Sequence, residues 1–153
     1  MFAALVLLFL QGANITGSLV APVGGAIGTA QVVLLPDEYA QVFNAEAQQR
    51  IDRYWETYKP EFAQRKELFL QVSPMAFRDA LEVTMLRMRR DTKIDTGKYI
   101  RMFSGGQFEF RGVPPGDYKL VATATIGGVS HVWTESIQAG NQTLFLQIKN
   151  RVP

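Results

Sequence analysis

Residues 107–125 read Gln107-Phe108-Glu109-Phe110-Arg111-Gly112-Val113-Pro114-Pro115-Gly116-Asp117-Tyr118-Lys119-Leu120-Val121-Ala122-Thr123-Ala124-Thr125. Phe108 and Phe110 alternate with Glu109 and Arg111, the period of a strand with one apolar face. Pro114-Pro115-Gly116-Asp117 then predicts a type II turn. Pro115 presets φ near −65° and Gly116 takes the positive φ that such a turn requires. Beyond it Tyr118, Leu120, Ala122 and Ala124 share one face, opposite Lys119, Thr123 and Thr125. The stretch is strand, turn, strand.

The same signals recur outward from it. Lys98 to Phe103 reads as a strand turned by Ser104-Gly105-Gly106, and Gly127-Gly128 is a two-residue hairpin signal ahead of Val132-Trp133. Gly140-Asn141 leads into Leu144, Leu146 and Ile148. Upstream, Ile15 to Val20 alternates, and Gln31-Val32-Val33-Leu34-Leu35 is a mostly apolar strand closed by Pro36. Seven short strands with frequent turns and no βαβ alternation predict an antiparallel sandwich.

Charge divides the chain unequally. Asp37 to Asp95 holds 11 acidic and 10 basic residues, 21 of the 30 charges in the chain, so a second structural regime sits inside the β pattern. Tyr39, Phe43, Ala47, Ile51, Tyr54, Trp55, Tyr58 and Phe62 recur at three or four residues, the stripe of an amphipathic helix. Pro60 is expected to kink or restart it, and Ser73-Pro74 to start a second helix that carries Phe77, Leu81, Met85 and Met88. The fold class is therefore mainly β: a seven-stranded antiparallel sandwich over 14–153, with an α-helical hairpin inserted at 37–96 between strands two and three.

The residues 107–118, with the strand after them and the two opening strands, resemble the carboxypeptidase regulatory-like family. That resemblance covers 14–36 and 97–149. It implies a transthyretin-like, prealbumin-like (Ig-like) sandwich in an exported bacterial protein without known activity. The family has only a short loop where this chain carries its helices, so the resemblance implies that the sandwich closes without them.

Several chemistries lose their reagents. There is no cysteine, which removes disulfides, zinc-thiolate sites and thiol nucleophiles, and one histidine, His131, cannot supply a two-histidine zinc centre. No serine lies in a Gly-x-Ser-x-Gly elbow. The C-terminus, Asn150-Arg151-Val152-Pro153, lacks the tail of transthyretin-like hydrolases. A net charge of +2 gives nucleic-acid binding no support. The carboxylates of the insertion alternate with bases, as on a solvated helix face, and Arg87, Arg89, Arg90 and Lys93 complement a helix C-terminus.

Phe2 to Leu10 is a nine-residue apolar run, too short for the ~20 residues of a membrane-spanning helix. With Gln11-Gly12-Ala13 after it, residues 1–13 read as a signal-peptide-like segment, a buried first strand being the competing reading. The mature chain is then expected to hold no stable membrane span and to be secreted, periplasmic or in the outer envelope. The expected function is a non-catalytic module for protein interaction or structural support, without cofactor or metal. The alternative is a carbohydrate-binding module, and an enzyme of unrecognised type comes third. Candidate partner-binding residues, for a protein or a glycan, are Tyr54, Trp55, Tyr58, Phe62 and Trp133. The bland alternative is that the aromatic stripe packs on the second helix or on the sandwich.

Overall fold

A computed structural model describes residues 12–148; the Phe2–Leu10 run lies outside them. Seven strands alternate with turns as expected: β1 (Ala13–Leu19), β2 (Thr29–Pro36), β3 (Ile100–Ser104), β4 (Gln107–Val113), β5 (Asp117–Ile126), β6 (Val129–Gln138) and β7 (Gln142–Leu146). Between β2 and β3 lie helix α1 (Asp37–Gln64) and helix α2 (Lys66–Arg90), followed by a 3₁₀ turn at Thr96–Lys98. One sheet has the order β4-β1-β7 and the other β3-β2-β5-β6.

The inward faces are those the alternation marks. Ile15, Phe108, Phe110, Tyr118, Leu120, Ala122 and Trp133 are buried together between the sheets. Asn14 and Asn141 clasp one end of this layer: Asn141 Oδ1 accepts from the Asn14 amide at 2.8 Å, and Asn14 Oδ1 from the Gly112 amide at 3.4 Å.

The sheets are not wholly antiparallel. β1 and β7 pair in parallel, Ile15 opposite Gln142 through Leu19 opposite Leu146. Only a hairpin connection forces its two strands to be antiparallel, and nearly the whole chain separates these two.

The helices form a third layer. Val33, Leu35 and Val121 point away from the sandwich interior, yet they are fully buried under Tyr39, Ala40, Phe43, Ala47, Ala80, Leu81, Met85 and Met88. The four-stranded sheet thus has apolar contacts on both faces. The near halves of α1 and α2 complete a second core there, which weighs against the expectation that the sandwich closes independently of the insertion.

The helix boundaries also differ from expectation. α2 starts at Lys66, after a single-residue break at Arg65 (φ −136°, ψ 87°), and Pro74 lies inside it instead of opening it. The missing Pro74 amide costs one helical hydrogen bond. Phe69 and Ala76, buried on either side of it, hold both halves of the helix in place. In α1 the distortion expected of Pro60 falls at Tyr58 (φ −115°, ψ 20°), and the helix then continues to Gln64.

The Pro114–Asp117 corner is an open bend. Gly116 has φ +146°, positive but far from the type II value near +80°, so the type II expectation is corrected. Its closing bond comes instead from a side chain: the Tyr118 hydroxyl donates to the Pro114 carbonyl at 2.8 Å. A Cβ at Gly116 would meet Tyr118 Cε2 at an ordinary 3.8 Å, so backbone conformation alone opposes a side chain there. Gly116→Val is expected to destabilise the fold by about 1–3 kcal/mol. An unchanged midpoint in urea denaturation would contradict this.

Candidate functional site

The aromatic residues singled out in the sequence separate into two places. Trp133 is 0% exposed in the sandwich core, with its indole N–H donating to the Val20 carbonyl at 3.1 Å. A ring enclosed in this way has no face to offer a ligand, so Trp133 is corrected from candidate binding residue to core. Phe62, 2% exposed, is corrected likewise.

Tyr54, Trp55, Tyr58 and Phe62 lie in the distal half of α1. Phe62 stacks on Trp55 at 5.7 Å, and Phe69 of α2 meets both rings edge-on at 5.3 and 5.2 Å. Such ring pairs add about 0.5–1.5 kcal/mol each beyond area burial. They make a small core of their own where the hairpin turns at Arg65. Tyr54 and Trp55 are half-buried and Tyr58 is 47% exposed. Most of the stripe therefore packs on the second helix or on the sheet, and it forms no continuous platform.

The base of the hairpin is latched by a polar contact. The Tyr39 hydroxyl donates to Asp91 Oδ2 at 2.6 Å, while Asp91 Oδ1 accepts from the Lys93 amide at 3.0 Å. The bond to Asp91, helped by burial, pushes the Tyr39 hydroxyl from 10.0 up to about 12. The same bond holds the Asp91 carboxyl below its ordinary 3.8. Tyr39, raised in the folded state, contributes stability that is complete below pH 10 and is lost as pH climbs toward 12. Asp91, depressed, contributes stability that is present above pH 3.8 and is lost as pH falls through its folded value. Tyr39→Phe should flatten the dependence of melting temperature on pH at both ends. Thermal melts across pH 3–12 that superpose for both proteins would exclude the latch.

A groove of about 590 Å³ runs between α2 and β6. Glu67, Leu70, Gln71, Pro74 and Phe77 form its helical wall, at the spacing of one helix face. The other wall is the strand, where Ser130, Val132, Thr134 and Ser136 line the groove at period two. Arg78 Nη1 reaches the Ser130 hydroxyl at 3.4 Å at one end. Lys119, also in the lining, donates to Asn44 Oδ1 at 2.6 Å and lies 5.4 Å over the Phe43 ring. None of this cleft was legible in the sequence, because its walls are 60 residues apart in the chain and each alone reads as an ordinary half-polar surface.

His131 and Glu135 also border the groove. They stand four residues apart on one extended strand, about 13 Å along it, too far for an acid–base pair. Among the described residues, no group of three His, Asp or Glu side chains is placed to hold a metal ion. The groove offers hydroxyls, carboxylates, one imidazole, the Lys119 ammonium and apolar surface.

No family model matches the chain, and no curated protein matches it. Among solved structures it is similar to the pilus backbone RrgB from Streptococcus pneumoniae. Identity is 12% and the TM-score 0.34, over 88% of this chain and 40% of that one. The chain thus spans well under half the length of that structure. A likeness at this level decides neither fold nor function. No described helix is long and apolar enough to cross a membrane.

Proposed function

We propose that this chain is a non-catalytic recognition or structural module of an exported protein, which engages a protein partner through the groove between α2 and β6. The observation that carries the reading is the pairing of a two-core body with a cleft of about 590 Å³ whose walls are a helix and a sheet edge. Clefts of a few hundred Å³ with apolar walls and a few placed polar groups are the usual form of binding sites. Export to the envelope or beyond rests on the Phe2–Leu10 run with its Gln11-Gly12-Ala13 flank. The transthyretin-like subclass and the kinship with carboxypeptidase regulatory-like domains belong to the same proposal. They draw support from the three-plus-four strand arrangement and from the Tyr118–Pro114 corner. The glycan reading is weaker, since Trp133 and Phe62 are enclosed and Trp55 is covered by two rings.

A photo-crosslinking amino acid placed at Gln71, on the exposed helical wall, tests the site. The control position is Glu56, exposed on the distal half of α1 and outside the groove. In envelope preparations one discrete protein adduct is expected from Gln71 and none from Glu56. Equal labelling at both positions would refute the groove. Saturable glycan binding that Trp55→Ala or Tyr58→Ala abolishes would move the function to the helical tip.

A further inference from the structure

A proline inside a helix offers no amide to the carbonyl four residues before it, and helices bend at such gaps. The hairpin has two of them. Pro60 leaves the Glu56 carbonyl of α1 without its helical donor, and Pro74 does the same to Leu70 of α2. The helices turn at Arg65. Residues 56–60 and 70–74 lie at equal separations before and after it, so both helices carry their gap at one height, about 10 Å from the turn. Tyr58, midway in the first gap, is the residue that departs from helical geometry, with φ −115° and ψ 20°.

Neither packed core reaches past these gaps. The second core takes in Ala47 of α1 and Phe77 of α2 but no residue between them in the chain. The tip is held by rings of its own instead. Phe62 meets Phe69 edge-on, and Trp55, just before the first gap, touches both. The groove straddles the second gap. Glu67, Leu70 and Gln71 of its helical wall precede Pro74. Phe77 follows it in the same wall, and there Arg78 ties α2 to Ser130 of the strand wall at 3.4 Å.

We propose that the hairpin tip, residues 61–71, swings as a unit about the paired gaps and so sets the width of the groove. The inference rests on the reading of this groove as the recognition site and adds how access to it is controlled. An unbroken helix would splint a kinked neighbour, whereas here neither helix splints the other. Lys66 lies about 12 Å from Pro74 along the helix, so a kink of about 20° moves it by about 4 Å. That is about one van der Waals contact distance, enough to open or close the cleft over one layer of side chains. The Trp55 contacts hold the tip to the stem in the observed position.

The chain has no cysteine, so nitroxide labels at Lys66→Cys and Gln138→Cys report the distance from tip to sheet by double electron–electron resonance. Gln49→Cys with Gln138→Cys is the control; all three positions are exposed, and Gln49 precedes the first gap. The tip pair is expected to give a distribution broader than the control's by about 4 Å. Pro60→Ala with Pro74→Ala restores both donors with the best helix former and should narrow the tip pair to the control's width. Trp55→Ala should broaden it further. A tip distribution no broader than the control's, or one that the double alanine variant leaves unchanged, overturns the hinge. Should the double variant fail to fold, Trp55→Ala decides, and a distribution equal to the wild type's overturns it. The alanine pair should also change the yield of the Gln71 adduct by about threefold or more, because a partner binds only the competent fraction. An unchanged yield overturns control of the groove by the tip. An adduct without a hinge leaves the recognition reading intact, whereas a hinge without any adduct removes that reading and leaves the motion.

Discussion

Replacing Asp37–Asp95 with a short Gly/Asn loop is expected to yield a chain that no longer melts cooperatively. The connection would shorten about tenfold, roughly three halvings at ~0.6 kcal/mol each, a gain of about 2 kcal/mol. Against it stands the face that α1 and α2 cover. Val33, Leu35 and Val121 are fully buried there, and exposing each costs about 1.5–3 kcal/mol, together about 5–9 kcal/mol. The net loss, about 3–7 kcal/mol, reaches the lower part of the ~5–15 kcal/mol that stabilises a typical domain. Circular dichroism with thermal melting is the measurement. A second variant that combines the deletion with Val33→Thr, Leu35→Thr and Val121→Thr should recover part of the fold, because it makes the uncovered face polar without losing strand-compatible side chains. A cooperative β-type melt of the simple deletion would show that the helices are a detachable arm.

Trp133→Ala carries the next largest expected effect. The ring is fully enclosed between the sheets, and truncating a buried aromatic to alanine costs about 3–5 kcal/mol in lost burial and residual cavity. The Val20 carbonyl also loses its indole donor. At about 2–4 °C per kcal/mol for a chain of this size, the melting temperature should fall by roughly 6–20 °C. Trp133→Phe keeps most of the apolar volume and loses chiefly the hydrogen bond, worth about 1 kcal/mol, so it should fall well short of the alanine variant. With two tryptophans in the chain, the Ala variant leaves only the half-buried Trp55, and its emission should shift to the red. An unchanged melt, with loss of a glycan ligand instead, would return Trp133 to the surface.

The strands were legible because each is a local statement. Phe108 and Phe110, then Tyr118, Leu120, Ala122 and Ala124, announce their shared face by period two, and burial follows that period in the folded protein. Gly116 could be assigned a positive φ for the same reason, since the requirement sits in one residue. The bend around it was misread because Tyr118 closes it with a side-chain bond that turn chemistry alone does not anticipate.

The second core had a trace in the sequence that the family pattern concealed. Val32-Val33-Leu34-Leu35 is apolar at consecutive positions, the mark of a strand buried on both faces, and Val121 interrupts the polar face of β5 in the same way. What covers that second face is a matter of where the helices pack. Ser73-Pro74 misled for a related reason: a local start signal was overridden by contacts on either side of it.

Residue types and their spacing therefore determined by themselves that this chain forms seven strands and a helical hairpin, and that it lacks the reagents of thiol and two-histidine zinc chemistry. The tertiary structure alone decided that β1 and β7 run parallel, that Trp133 and Phe62 are inside, and that a groove lies along the β6 edge. The physical reason is one of range. Backbone preference and periodicity act over a few residues, whereas burial, sheet edges and clefts arise from surfaces that meet only after the chain has folded.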